Sequence, residues 1–338
     1  MKKIIILISI SAMGLILVLS YFLWNIHNYG LTPLNTDQRL KDITILKGEN
    51  FSTVLDKLLD GGIINQPVKF KILARLKKYD KKIKAGDYRF SPSMTPVKIL
   101  KIMKKGEVSF YKVTIPEGYN LKQIASVIAE SGLVDQKKFI KLSTDPSYVR
   151  EKKIAAETFE GYLFPDTYFF AKTAPCEEIF SIMLKRFQSK ITTEMRNRAK
   201  NMNMSIHQVI TIASIIEKET GAPFERPVIS SVFHNRLKKG MRLQSDPTVI
   251  YGIKRFDGNI TKKNLKTATP YNTYVIKGLP PGPIANPGIE SIKAALYPAE
   301  TDFLFFVSKK NRTHKFSTNI RDHNKAVRKY QLKRSTKK

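Results

Sequence analysis

Ile43-Thr44-Ile45-Leu46-Lys47-Gly48-Glu49-Asn50 returns further along the chain as Val113-Thr114-Ile115-Pro116-Glu117-Gly118-Tyr119-Asn120, an offset of 70 residues. The register persists beyond these segments: Val54 meets Ile124, Leu58 meets Ile128, Gly62 meets Gly132, Gln66 meets Gln136 and Phe70 meets Ile140. At an offset of 80, Tyr88, Phe90 and Ile99 meet Tyr168, Phe170 and Ile179, so the second copy carries about ten extra residues, which we place around Glu160-Gly161-Tyr162-Leu163-Phe164-Pro165. Each copy predicts a strand, a Gly turn, a helix, a Gly-capped break, a second helix and a strand. Two copies of such a βα module suit either the binding of sugar chains or a scaffold without a ligand, and both readings stay open.

From Ile179 onward the apolar spacing becomes that of longer helices. Residues 177–198 carry Ile179, Ile182, Met183, Phe187 and Ile191 at helical intervals and predict one amphipathic helix with a basic outer face. Ser205 then stands as the N-cap of a helix from 206 to about 220, with Gly221 as its stop. At 100° per residue, Ile206, Val209, Ile210, Ala213, Ile216 and Glu217 share one sector, whereas Glu219 falls nearly opposite. A carboxyl group on an apolar stripe loses hydration, and in the last turn it also meets the negative end of the helix dipole. Both effects favour the protonated form that a general acid requires. The alternative is a Glu217 paired with a buried Lys or Arg that only fixes packing. The next helix, 227–239, puts Ile229, Val232, Phe233 and Arg236 on one side and ends at Gly240. Arg236 is a candidate for that structural partner or for gripping an anionic group of a substrate.

Beyond Gly240 come polar turns between apolar runs: the segment with Gln244, Ser245, Asp246 and Tyr251, then Tyr271-Asn272-Thr273-Tyr274, then the Pro/Gly-rich loop 278–288 that holds Asn286. A loop so rich in Pro and Gly costs little entropy to order and suits a groove wall, and the aromatic and amide side chains suit sugar rings. Each segment is equally open to ordinary turn chemistry. There is no Gly-x-Ser-x-Gly, no His-Glu-x-x-His and no phosphate loop, and the 5 histidines lack metal-ligand spacing, so neither a metal nor a cofactor is expected. His207 and His234 read as surface or satisfied histidines.

Residues 4–24 form an almost unbroken apolar run that spans roughly 30 Å as a helix, enough to cross a bilayer. Lys2 and Lys3 precede it and the next basic residue is Arg39, which predicts a cytoplasmic N-terminus and an exported body. A cleaved signal peptide would end in small residues, and Tyr21-Phe22-Leu23-Trp24-Asn25 offers none. Across 338 residues, 59 Lys and Arg against 28 Asp and Glu give a formal charge of +31. The cations are spread rather than clustered, and an exported body meets little nucleic acid, so phospholipid head groups and acidic wall polymers fit better as partners than DNA or RNA. With Cys176 as the single cysteine, no intramolecular disulfide staples the fold.

Ala213-Ser214-Ile215-Ile216-Glu217-Lys218-Glu219-Thr220, Val232-Phe233-His234-Asn235-Arg236-Leu237, the run 243–252, Tyr271-Asn272-Thr273-Tyr274 and Gly278-Leu279-Pro280-Pro281-Gly282, in this order, resemble the YceG-like endolytic murein transglycosylases. The likeness extends over nearly the whole chain, and its first βα copy resembles a LysM-like module. The resemblance implies an α+β fold with a single-pass anchor in the bacterial inner membrane (1–25), a linker (26–40), a LysM-like module (41–110), a catalytic domain (111–330, including the second βα copy, 111–180) and a basic tail (331–338). It also implies that Glu217 is the catalytic residue of a metal-free lyase acting on peptidoglycan. Such an enzyme cuts the β-1,4 bond between N-acetylmuramic acid and N-acetylglucosamine in nascent strands to leave 1,6-anhydro ends, beside the membrane-bound glycan polymerases. Arg236, Gln244, Ser245, Asp246, Tyr251, Tyr271, Asn272 and Asn286 are the expected substrate-binding residues. The rival functions are a muramidase using Glu219 or Asp246 as a second carboxylate, and a non-catalytic scaffold that binds the wall.

Overall fold

The computed structural model describes residues 2–332; Met1 at the start of the expected cytoplasmic stub and residues 333–338 of the basic tail lie outside the described residues. The protein is a mixed α+β chain of two compact units, Met1–Lys112 with Phe169–Ala174, and Val113–Tyr168 with Pro175–Lys338.

The first unit opens with helix α1 (Lys2–Leu31), within which Ile6–Leu31 is long and apolar enough to cross a membrane, with a mean hydropathy of 2.4. The helix does not stop at the expected linker. Its last turns have a surface to pack on: Ile26 is 2% exposed within the core, and a Cβ at Gly30 would lie 3.0 Å from Val97 Cγ2 and 3.2 Å from Leu73 Cδ1. That core belongs to β1 (Lys41–Ile45), α2 (Phe51–Asp60), α3 (Pro67–Leu76), β2 (Gly86–Phe90) and α4 (Pro96–Lys105). Strands β1 and β2 pair antiparallel with Ile43 opposite Tyr88, and their alternate side chains meet Leu58, Phe70 and Leu100 in the core. The polar link before α2 is short because Asn50 caps the helix, accepting from the Thr53 N–H at 2.9 Å.

The same order recurs along the chain as β3 (Phe110–Thr114), α5 (Leu121–Glu130), α6 (Gln136–Ser143), β4 (Thr167–Ala171) and α8 (Cys176–Lys190), with β3 paired to β4. Asn120 caps α5 as Asn50 caps α2, and Gly118 and Gly48 both take positive φ, 75° and 89°, to make the turn before that cap. The additional residues of the second copy form a short helix, α7 (Pro146–Glu151), and the loop after it, and so begin earlier than the segment at Glu160.

The predicted helix over 177–198 is two helices. Helix α8 stops at Lys190, and Thr192 starts α9 (Thr193–Asn201) by accepting from the Met195 N–H at 3.2 Å. The apolar period runs on through Ile191, which is 4% exposed, so periodicity alone conceals the break. Helix α10 (Ile206–Glu219) begins with a capping box between Ser205 and Gln208, and every residue from Val209 to Ile216 is buried. It packs against α11 (Arg226–Lys238), α12 (Asp246–Gly252) and, after the short α13 (Lys262–Lys266), against α14 (Ile289–Leu296). The antiparallel pair β5 (Phe305–Ser308) and β6 (His314–Ser317), with α15 (Ile320–Val327) beside it, completes the second unit.

Replacing Ile26 by Ala removes a side chain buried in the first core, and we expect a loss of about 2–4 kcal/mol in its unfolding free energy, read from urea melts of the detergent-solubilised chain. A melt superimposable on wild type would mean that α1 contributes nothing to that core.

Candidate functional site

Helix α10 ends because Thr220 leaves the helical region, at φ −130° and ψ 134°, and its hydroxyl accepts from the Ala222 N–H at 2.9 Å. The stop is therefore Thr220 rather than Gly221. Glu217 stands in the last turn with its side chain 7% exposed. The Arg226 guanidinium, at the start of α11, reaches its Oε1 at 3.4 Å, and the N–H of Gly288, the N-cap of α14, donates to its Oε2 at 3.0 Å. Glu217 thus has both the burial that its stripe predicts and the buried cation of the packing alternative. That cation is Arg226 and not Arg236.

Two glycines bring bare backbone against this carboxyl. Gly118 lies beside the Glu217 Cγ, and its carbonyl accepts from Lys218 Nζ at 3.3 Å. Its neighbour Glu117 holds a carboxyl against the α-carbon of Gly288, where a methyl group would overlap it. Partial desolvation, then the Glu217 charge, hold Glu117 above the usual carboxylate range, with Arg226 pulling the other way. Sequence reading passed over Glu117. The available signal was the repeat itself, in which the first copy has Lys47 at the matching position.

A third carboxyl group arranges these parts. Glu160 is 3% exposed and accepts from the Leu121 N–H at 3.2 Å, from the Tyr251 hydroxyl at 3.0 Å and from Asn286 Nδ2 at 3.0 Å. Asn286 in turn accepts from the Leu163 N–H at 2.9 Å, and its backbone carbonyl accepts from the Gly118 N–H at 2.9 Å. The Pro/Gly loop is therefore pinned against α5 and α10, with the Ile284 N–H donating to Ser214 Oγ at 3.0 Å and His207 Nε2 paired with the Pro281 carbonyl at 2.8 Å. Burial pushes Glu160 up to about 7 despite its donors.

Glu219 leaves the other side of α10. Its Oε1 accepts from Ser245 Oγ at 2.5 Å, and it lines a cavity of about 410 Å³ with Arg236, Gln244, Asp246, Tyr274 and His323. Burial pushes Glu219 up to about 7, with Asp246 adding to the shift, and the Ser245 hydrogen bond and Arg236 opposing it.

The expected substrate-binding residues divide accordingly. Arg236, Gln244, Ser245 and Asp246 gather around Glu219, whereas Tyr251, Tyr271 and Asn286 gather around Glu160, with the rings of Tyr251 and Tyr271 4.7 Å apart. Several have internal partners in place of a surface for sugar. Asn272 is fully buried, with Nδ2 donating to the carbonyls of Asn264, Leu265 and Thr267 and Oδ1 accepting from the Tyr274 N–H. Asn286 is fully buried in the Glu160 network, and Ser245 is 1% exposed on Glu219. Arg236 is 7% exposed and donates to the carbonyls of Leu304, Arg242 and Leu243 and to Gln244 Oε1. These four act as internal ties because a buried polar group needs its hydrogen bonds met inside the fold. Gln244 and Asp246 are exposed, Asp246 accepting from the Tyr274 hydroxyl at 2.6 Å.

Glu160 and Glu219 hold protons in the fold that an unfolded carboxyl releases near pH 4.5. Their stabilisation is therefore full below that pH and is lost as pH rises toward about 7. We expect the melting temperature to fall across this window, and Glu219→Gln, which keeps an acceptor for Ser245, to flatten part of the fall. An unchanged slope in the variant would show that Glu219 releases no proton there.

Residues 43–329 match the YceG-like family. The chain is 34% identical over 317 residues to a Bacillus subtilis protein named endolytic murein transglycosylase, covering 89% of this chain and 88% of that one. It is 28% identical over 330 residues to a Streptococcus pneumoniae protein of the same name, covering 88% of this chain and 60% of the longer relative. The crystal structure of a YceG-like protein from Listeria monocytogenes superimposes with a TM-score of 0.60 at 36% identity, over 85% of this chain and 98% of that one. A match from the first βα strand to the last helix, carried by sequence and fold alike, makes this chain a member of the YceG-like family.

Proposed function

We propose that this protein is an endolytic lytic transglycosylase that cuts the β-1,4 bond between N-acetylmuramic acid and N-acetylglucosamine inside nascent peptidoglycan strands and so limits their elongation. The observation that carries the reading is Glu217, a carboxyl group in the last turn of a helix buried from Val209 to Ile216, with a donor at each oxygen and glycine backbone beside it. The names of the relatives in Bacillus and Streptococcus support the same chemistry.

In this mechanism protonated Glu217 gives its proton to the glycosidic oxygen as the C1–O bond breaks. The resulting carboxylate takes the proton of the muramyl C6 hydroxyl, whose oxygen closes on C1 to form the 1,6-anhydro ring. The proton count closes on one carboxyl group, and no water or metal is consumed. An attacking hydroxyl in the same sugar has a high effective molarity, which removes the need for a second carboxylate as nucleophile. The hydrolytic alternative named Glu219 or Asp246 for that second role, and both lie around the cavity on the other side of α10.

The long apolar helix would hold the enzyme at the membrane as a single-pass anchor, with the body outside the cytoplasm, beside the glycan polymerases. Supporting an uncleaved anchor are Ile26 and Gly30, since removal of the helix would take part of the first core with it. The first βα copy, LysM-like in its order of elements, would hold glycan strands near the site, and the +31 charge would favour anionic lipid and wall polymers.

Positioned proton transfer contributes roughly 10² to 10⁴ in rate, about 3–5 kcal/mol. Glu217→Gln is therefore expected to lose activity on uncrosslinked glycan by that factor while melting like wild type, and wild-type products are expected to carry anhydro ends by mass analysis. Reducing ends would establish a hydrolase, and an inactive variant that is also unfolded would assign Glu217 to packing.

A further inference from the structure

Just past the apolar run 4–24, α1 changes character. Asn25, Asn28, Tyr29 and Thr32 recur at i, i+3, i+4 and i+7 and so share one face. That face forms one wall of a cavity of about 300 Å³ in the first unit, with Gln66 and Lys69 from the start of α3 among the residues opposite. The volume is at the lower end of small-ligand sites, roughly 300–1,000 Å³.

The lining has one sign of charge. Lys69 is half-buried with its Nζ 6.0 Å from the centre of the Tyr29 ring, and no Asp or Glu lines the cavity. Among the described residues Lys69 has no carboxylate partner, and the side-chain amides of Asn25, Asn28 and Gln66 have no hydrogen-bond partner. A cation and three amides thus face the same space with their donors unused.

The cavity also lies at a definite depth. A helix over 4–24 spans roughly the 30 Å of the hydrocarbon layer. Tyr21 and Trp24, their rings 6.1 Å apart, close that stretch with the residue types that mark a membrane interface. From Ile26 onward α1 is packed on α3 and α4, which carry Lys69, Lys71 and Lys98, cations that hydrocarbon excludes. The hydrocarbon therefore ends by Asn25. From there to Thr32 the chain advances about 10 Å, which brackets a headgroup layer roughly 5–8 Å thick.

We propose that this cavity binds the headgroup of an anionic phospholipid, with Lys69 on the phosphodiester and the amides of Asn25, Asn28 and Gln66 on the hydroxyls beyond it. The proposal rests on reading α1 as an uncleaved anchor. A zwitterionic headgroup adds an ammonium group, which Lys69 repels and no carboxylate of the lining receives, so the site discriminates against it.

The test is native mass spectrometry of the full-length chain in an uncharged detergent, titrated with phosphatidylglycerol, phosphatidylcholine or inorganic phosphate. Phosphatidylglycerol is expected to be retained in preference to phosphatidylcholine and to resist displacement by inorganic phosphate. Lys69→Gln should lower its retention by about fivefold. Asn28→Asp, which sets a carboxylate at an exposed position of the lining, should lower it at least as much. Lys77→Gln, just past the other end of α3, should leave it unchanged. Equal retention of the two lipids, displacement by inorganic phosphate, or equal losses in Lys69→Gln and Lys77→Gln overturns the site while leaving the anchor in place. An intact mass showing that the chain isolated from bacterial membranes begins beyond Trp24 overturns the anchor reading, and the site with it.

Discussion

The geometry of the second unit depends on the hydrogen bond between Glu160 and Asn286. Glu160, closed off from solvent, takes donors from the start of α5, from the Tyr251 ring on α12 and from Asn286 in the Pro/Gly loop, so one carboxyl group ties three segments far apart in sequence. Asn286 passes the restraint on to the turn at Gly118 and to the Leu163 backbone. That knot is one of the ties that hold Gly118 and Gly288 beside Glu217, together with the Gly288 N–H on Glu217 and Lys218 on the Gly118 carbonyl. The knot is stable only when every donor and acceptor is met, because an unpartnered polar atom in such a place costs about 1–3 kcal/mol.

The two glutamates two residues apart on α10 show how one helix end serves two environments. Glu217 turns toward Arg226, Gly118 and Gly288, and Glu219 toward Ser245, Arg236 and the cavity beneath β5. An angle of about 200° between them is enough to separate their surroundings completely. The burial and neighbouring charges of Glu219 resemble those of a catalytic acid, yet its hydrogen-bonded neighbours are themselves structural ties. Glu217, by contrast, has the backbone of Gly118 and Gly288 against it as well as the Arg226 guanidinium.

The first unit applies the same economy of means to a different problem. Helix α1 passes from an apolar, exposed stretch directly into a packed core at Ile26, with Gly30 permitting close contact with Leu73 and Val97. The residues that accomplish this, Ile26 and Gly30, fall beyond the apolar run 4–24 read from the sequence but within the apolar helix itself.

The repeat, the Ser205 cap and the position of Glu217 on an apolar stripe were legible in the sequence because each follows from local pattern: the register of the two copies, a capping serine before an apolar run, and 100° per residue. Which way a polar side chain faces was not legible. Asn272, Asn286 and Ser245 have the composition of sugar-contacting residues and the environment of core ties, and only the segments packed over them distinguish the two. The break at Thr192 lay hidden under an apolar period that continues across it. Glu117 is the clearest case of what tertiary structure alone decides. Its sequence neighbours identify a turn, and its surroundings come from Gly288 and Glu217, which approach it only when α5, α10 and α14 pack together and bring distant charges near one another.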